Sequence, residues 1–578
     1  MTLSPLRLAI IATVLGAGIA VSVALGLRAP EAHVQIASAQ GGIRETQTGS
    51  YLAGRHAESQ NDLSAAADFM AEALRSDPDN VELQRRAVLL FISAGRAADA
   101  LPLARKLRER EPGTFVASLL LIAEAARVND MAAARREYDR MSRDSLAGLV
   151  APLISSWLRY SERGADEGIA ELRTFGEAPP MRSIERLHAG LMNDLAGRQN
   201  LARERYQQSV DALHRPSFRS IEALAALEQR ASGPEAARAV LAKHPPENPD
   251  SPVGHAIAER LDDARPYELL VRNPGEGIAE ALFGLGIGLF RQSESTMALV
   301  FTRLANHARP NFALGQFFVG EMLEGMKRPE EAIAAYREIE VKSSLHWEAR
   351  LRAVALLSEL KRRDEAIERL KAMTAERPLR HDAPFRLGNA LREAERHEDA
   401  VAAYDLAIER LGEAESGKWA LYYARGMALE RAKKFDAAAR DLERALALRP
   451  EHPYVLNYLG YMWVDLGQNL ARARDMIRRA VELRPDDGYI VDSLGWFHFR
   501  VGEFAQAVRL LERAVELKPA DPVINDHLGD AYWKVGRRNE ARFQWRRALH
   551  FDAAPDLTDA IRAKLDRGMG PTPAANKG

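Results

Sequence analysis

The chain has no cysteine in 578 residues. That absence excludes disulfides, thiolate metal sites, a cysteine nucleophile and an N-terminal lipid-modified cysteine. An excess of one charge is missing as well: 80 Lys and Arg stand against 81 Asp and Glu, a net charge of −1. No global field draws the protein toward nucleic acid or anionic lipid, and nucleic acid is not expected as a partner. Metal-ligand spacing is also lacking. His452, His498, His527 and His550 are scattered, and no histidine pair brackets a glutamate. Gly284-Leu285-Gly286-Ile287-Gly288 looks like the start of a phosphate loop, but no strand precedes it and no Lys-Ser/Thr follows. Small residues in a close-packed helix account for it better. Carboxylates are abundant everywhere, so no pair of them stands out as acid and base. The chain is expected to be no enzyme, with no catalytic residue, no cofactor and no metal.

What the chain does have is a period. Ala66, Ala100, Ala134, Gly168, Ala202 and Ala236 stand 34 apart, and the step returns at Ala298, Ala332, Ala366 and Ala400, then at Ala438, Ala473, Ala507 and Ala541. Around each marker the pattern repeats: a Gly or small residue twelve before, a large apolar residue four after, a small residue seven after, often Pro twelve after. In the unit Gly488 to Asp521, Leu494 and Gly495 lie on a first helix that Gly502 ends. Ala507, Leu511 and Ala514 form the inner stripe of a second, which Pro519 stops. Small residues mark where backbones approach too closely for a long side chain. One such pair cannot bury its apolar face alone, so neighbours must stack.

This pattern resembles the tetratricopeptide repeat. The resemblance implies an all-α, right-handed superhelical solenoid with a concave groove, here of about 14 to 15 helix-turn-helix units. A composition of 47% hydrophobic and 28% charged residues, rich in Ala and Leu, agrees with one extended array.

Leu8 to Leu27 carries no charge, with Arg7 before it and Arg28 after it. As a helix it would span roughly 30 Å, the thickness of a bilayer core. Residues 1–40 are therefore expected to be a signal peptide or an N-terminal membrane anchor. Ala37-Ser38-Ala39 suits signal-peptidase cleavage, whereas the length of the run and its distance from that site suit an uncleaved anchor. Either way the array lies outside the cytoplasm if Arg7 stays inside, so the expected location is periplasmic, soluble or tethered to the inner membrane. The array itself divides into a divergent part at 50–242, an irregular Pro-rich stretch at 243–277 where the solenoid should bend or break, and a sharper part at 278–551. A capping helix at 556–568, with Leu557, Ile561 and Leu565 on its apolar face and Lys564 pointing elsewhere, precedes a disordered tail at 569–578.

Asn457-Tyr458-Leu459-Gly460-Tyr461, Asp492-Ser493-Leu494-Gly495-Trp496 and Asp526-His527-Leu528-Gly529-Asp530, with Trp533 and Trp545 after them, resemble a proteobacterial family of envelope tetratricopeptide proteins. That family includes lipoprotein adaptors of carboxyl-terminal processing proteases. The resemblance implies a periplasmic scaffold that binds protein or peptide, with such a protease and its substrates as partners, although this chain lacks the lipidation cysteine. The alternative is a structural part of an outer-membrane biogenesis or polysaccharide export assembly. In the repeat family the residue after the helix glycine faces the groove, which selects Tyr461, Trp496 and Asp530. Asn457, Asp492 and Asp526 stand four residues earlier on the same face, and Val464, Asp465, Phe499, Arg500, Trp533 and Lys534 follow three or four later. Aromatic rings beside Asn, Asp and Arg suit a peptide, though the aspartates could equally solvate a helix face. Trp463, His498 and Trp545 fall at packing positions.

Overall fold

The computed structural model describes residues 47–142, 146–175, 178–245, 251–262, 265–412, 418–551 and 553–570. The expected leader or anchor, with Leu8 to Leu27 and Ala37-Ser38-Ala39, lies outside them, as does the tail from residue 571. Among the described residues there is no strand, and no helix is long and apolar enough to cross a membrane.

The helices follow one another as hairpins. The first are α1 (Gln47–Ser59) with α2 (Leu63–Ser76), α3 (Val81–Ser93) with α4 (Ala97–Arg110), and α5 (Phe115–Arg127) with α6 (Met131–Arg140). Next come α7 (Ala147–Arg163) with α8 (Ala165–Leu172), α9 (Pro179–Leu195) with α10 (Gln199–Asp211), and α11 (Phe218–Ser232) with α12 (Pro234–Lys243). A lone α13 (Pro252–Asp262) precedes α14 (Pro274–Arg291) with α15 (Ser295–Ala308) and α16 (Ala313–Gly325) with α17 (Pro329–Arg337). Within α18 (Leu345–Glu359) the chain divides, after Leu356, into two compact units. The second unit holds α19 (Arg363–Glu376), α20 (Asp382–Glu393) with α21 (His397–Leu411), and α22 (Lys418–Arg431) with α23 (Phe435–Leu448). It continues through α24 (Pro453–Leu466) with α25 (Leu470–Leu483), α26 (Gly488–Arg500) with α27 (Phe504–Leu517), α28 (Pro522–Lys534) with α29 (Arg538–His550), and the closing α30 (Pro555–Arg567).

The period has a plain cause. In the second helix of each hairpin the fourth residue is small and buried, as at Ala66, Ala298, Ala507 and Ala541. One turn later stands a large residue, which lies over the glycine of the first helix. A Cβ added at Gly388 would come within 2.5 Å of the Tyr404 ring, and one at Gly529 within 2.5 Å of the Trp545 ring. The fourth-residue rule corrects one marker. In α12 that residue is Ala237, which is buried, while Ala236 is half-exposed. The marker lies one residue later there: α11 runs on to Ser232, and Gly233 at φ 92° turns the chain into Pro234.

The first unit does not break at 243–277 as expected. After α13 the chain runs back along α11, where Gln229 Nε2 donates to the Leu261 carbonyl and the Tyr267 amide donates to Gln229 Oε1 at 2.6 Å. It then delivers α14 and α15 onto the first helices of the preceding hairpins. Gly277 lies directly under the Trp157 ring of α7, and the Gly275 amide donates to Asn129 Oδ1 at the end of α5. Phe301 of α15 packs against Phe115 of α5 with ring centroids 6.1 Å apart, and His307 meets Glu124 at 2.8 Å. Arg328, just before α17, bonds Asp62 ahead of α2 at 3.1 Å, and Phe318 of α16 stacks on Phe218 of α11. Residues 274–337 therefore belong to the first unit. The small residues of α14 let it sit against older helices as well as its own partner: Gly286 faces Thr302 of α15, where any side chain would clash.

A buried charge cluster fastens this insertion. Arg219 of α11 donates through Nε and Nη2 to the two carboxylate oxygens of Glu280 on α14, at 2.6 and 2.7 Å, and through Nη1 to Glu222 at 2.6 Å. The Tyr267 hydroxyl completes Glu222 at 2.7 Å. Burial alone would push the Glu280 carboxyl up, but the Arg219 charge holds it below the usual range. Nearby, Trp157 Nε1 donates to His188 Nδ1 at 3.0 Å, and burial holds that imidazole down to about 4.

Candidate functional site

In the second unit the hairpins stack in order, and their first helices, α20 to α28, form a continuous row. Val455, Leu459 and Trp463 of α24 and Phe497 of α26 point into the core with Ala473 and Ile477. Trp545 is fully buried, with Leu511, Leu528 and Ile561 around it. The ten residues singled out from sequence lie on α24, α26 and α28 beside these core positions, and one of them, Phe499, belongs to the core with Ala507 and Trp545.

They do not form one open surface. At the α28 end the expected groove is already covered by α30. Lys564 Nζ donates to Asp526 Oδ1 and Oδ2 at 2.9 and 2.8 Å and to Asp530 Oδ2 at 2.8 Å. Asp530 Oδ1 also accepts from Trp545 Nε1 at 2.9 Å. Both aspartates are buried, so they neither solvate a helix face nor stand free for a ligand. Burial, with Asp526 adding to it, pushes the Asp530 carboxyl up against the pull of Lys564. Lys564 thus corrects the expectation that it points away from the repeat: the ammonium is what the two carboxylates need once desolvated. Trp533 is 5.3 Å from Trp545, lies under Gly568 and is stacked by Arg538, while Lys534 donates to the Gly570 carbonyl.

Further along the row the surface is open. Trp496 is half-buried and held on several sides. Its ring stacks on His527 at 4.0 Å and on Phe499 at 4.8 Å, and its Nε1 donates to Asp465 Oδ1 at 3.1 Å. Arg500 reaches the same Asp465 carboxylate at 3.3 Å and its carbonyl at 3.2 Å. Phe499 itself is buried and Arg500 exposed. Beneath Trp496, His527 Nδ1 meets the Asp492 carboxylate at 3.0 Å, with both groups buried. Burial lowers the His527 imidazole, but Asp492, with Asp526 and Asp530 behind it, outweighs burial and raises it. Tyr461 is half-buried beside Asp465 and Asp492, and its hydroxyl has no hydrogen-bond partner among the described residues. Asn457 Oδ1 is buried without a partner too. On the open part of the row, Tyr461 and Trp496 therefore offer partly accessible ring surface, and Tyr461 adds a hydroxyl without a partner among the described residues. Of the two residues that hold Trp496, sequence reasoning placed Asp465 on this face but missed His527. Asp465 sits on the following turn of α24, and only the stacking of α24 on α26 brings it near.

The first unit offers no comparable row, because α14 and α15 occupy it. A cavity of about 670 Å³ remains between α3 and α5, lined by Glu58, Arg85, Arg86, Glu111, Leu89 and Phe115. Its charges are already matched, Arg85 to Glu111 and Arg86 to Glu58. Among the described residues no cluster of His, Asp or Glu could hold a metal ion.

Residues 351–415 and 423–488 match a family model described as the tetratricopeptide repeat. The chain carries tetratricopeptide repeats. No protein of curated function matches it by sequence. Among solved structures it is similar to the anaphase-promoting-complex hetero-tetramer Cut9–Hcn1, at 14% identity and a TM-score of 0.38, over 90% of this chain and 96% of that one. YrrB, described as a tetratricopeptide protein with an unusual peptide-binding site, is 21% identical at a TM-score of 0.26, over 33% of this chain and 97% of its own. A thermophilic tetratricopeptide protein of Thermus thermophilus, TTC0263, is 20% identical at a TM-score of 0.29, over 32% and 98%. At such scores these likenesses bear on no detail of function. The helix hairpins themselves, continuing the tetratricopeptide packing beyond residue 488 to His550, make the fold an all-α tetratricopeptide superhelix, and such repeats serve as scaffolds for protein interaction.

Proposed function

We propose that the chain is a non-enzymatic scaffold that works outside the cytoplasm and holds a protein or peptide partner on the open row of its second unit, across Tyr461 and Trp496. The observation that carries this reading is the state of Trp496. An aromatic ring half in water, stacked on two neighbours and tied through its nitrogen, loses little further freedom when a partner covers it. The Tyr461 hydroxyl beside it, without a partner among the described residues, is free to take a backbone group of an extended segment. The apolar run at Leu8 to Leu27 supports export or anchoring. The strings around Gly460, Gly495 and Gly529 support a role beside an envelope processing protease, delivering its substrates.

The test is a photo-cross-linker placed at position 461 of the full chain in envelope extract. The expected product is one dominant adduct, lost when Trp496 is changed to Ala, and a processing protease or its substrate in that adduct supports the adaptor role. Adducts made only of outer-membrane or export subunits would replace that role with a structural one, and no adduct dependent on Trp496 would remove the site.

A further inference from the structure

The outer helix of the last hairpin, α29, differs from its counterparts. On α25, Arg472 pairs with Glu443 and Arg479 with Glu451, each at 2.6 Å; on α27, Arg513 pairs with Glu516 at 3.2 Å. Helix α29 carries Arg538, Arg542, Arg546 and Arg547, and none lies within ion-pair distance of a carboxylate among the described residues. Arg538 stacks on Trp533 at 3.8 Å, Arg542 and Arg547 donate to the carbonyls of Leu565 and Pro519, and Arg546 is exposed with no partner among the described residues. The helix's one acid, Glu540, is taken by Arg537 at 3.0 Å. Among these cations Phe543 points outward, 58% exposed, while Ala541, Trp545 and Ala548 face the core. Among the described residues, positive charge without a paired carboxylate thus gathers on this helix around one exposed ring.

We infer that the outer face of α29 docks on an anionic phospholipid surface, with Phe543 entering the interface and the arginines meeting phosphates. Shape favours lipid over a protein partner. A ring that anchors a protein contact is commonly part of a packed, fully desolvated cluster, whereas Phe543 is 58% exposed on the outward side of α29 with long basic side chains around it. A lone ring flanked by long basic side chains suits the boundary between headgroups and acyl chains. Each arginine near an anionic leaflet strengthens binding about fivefold, and salt screens the effect.

The experiment is flotation of the full chain with vesicles of phosphatidylcholine alone or mixed with phosphatidylglycerol, reading the ratio of the two partitions. That ratio cancels any insertion through the N-terminal apolar run. The expected result is a preference for the anionic vesicles that raised salt erases. The double variant Phe543→Ser, Arg546→Glu should cut that preference about tenfold or more, while Arg546→Lys keeps it. Both side chains are exposed, so circular dichroism should show the double variant folded. No preference in the native chain, or a full preference in the folded double variant, would overturn the inference. Capture of a polyglutamate peptide through Phe543 and Arg546 without any vesicle preference would overturn it as well, and would assign the face to an acidic protein segment.

Discussion

Changing Arg219 to Met should release α14 from the first unit. The guanidinium is only 9% exposed and satisfies Glu280, which is 2% exposed, as well as Glu222. Methionine fills a similar volume but leaves two buried carboxylates without a cation, a situation that costs about 3–5 kcal/mol. Because α14 touches α5 and α7 as well as its partner α15, the loss should appear first as opening of α14, not as unfolding of the whole chain. Hydrogen exchange resolved by helix is the assay, and amides of Pro274–Arg291 should exchange roughly 150- to 5,000-fold faster. The triple variant Arg219→Met, Glu222→Gln, Glu280→Leu removes the stranded charges and should recover most of the protection. Unchanged exchange in the single variant, or a triple variant as labile as the single, would refute the claim that this cluster fastens the insertion.

Acid should move the two units in opposite directions. His188 titrates near 4 when folded against about 6.5 unfolded, so its contribution is complete above pH 6.5 and is lost as pH falls toward 4, on the order of 3 kcal/mol in all. His527 is raised, so its contribution is complete below about 6.5 and fades as pH rises through its folded value; the upward shift of Asp530 has the same sign. Helix-resolved exchange at pH 7.5 and 5.5, corrected for intrinsic rates, should show α9 loosening and α28 tightening on acidification; His188→Gln should abolish the first effect and His527→Gln should reduce the second, leaving the share of Asp530. Ala507→Leu should cost about 1–3 kcal/mol, since Ala507 is fully buried, and urea unfolding should show α26 to α29 loosening before α20 to α23. Glu395→Gly should stabilise the second unit by up to about 1 kcal/mol, because Glu395 sits at φ 59° in a hairpin turn where Gly502 and Gly536 serve elsewhere, and a raised melting midpoint checks it.

The period is legible because packing forces it. A small residue must stand at the fourth position of each second helix, so Ala66 through Ala541 announce the hairpins without any knowledge of their neighbours. Ala236 misleads for the same reason: the small residue belongs at the fourth position of α12, which is Ala237, and a constant step of 34 falls one short of it. The docking of α14 and α15 onto the earlier hairpins leaves no periodic trace, although Ala298 marks their own hairpin, since Arg219 and Glu280 are 61 positions apart and each looks like an ordinary surface charge on an amphipathic helix. Lys564 misleads in a related way. Its place on the polar side of α30 says nothing about the two aspartates waiting on α28. Trp496 follows from repeat position alone, whereas its clamps, Asp465 and His527, belong to the neighbouring hairpins and require their stacking.

The account rests most directly on the contrast between two tryptophans of the second unit. Partner affinity and thermal unfolding should be measured side by side for Trp496→Ala and Trp545→Ala, using the partner identified by cross-linking. The expected result is a loss of roughly 2 kcal/mol or more in affinity with nearly unchanged helicity for Trp496→Ala, and a loss of about 3–5 kcal/mol in stability for the fully buried Trp545. Normal partner binding by Trp496→Ala, or equal unfolding by both variants, would contradict the placement of the binding row on α24 and α26.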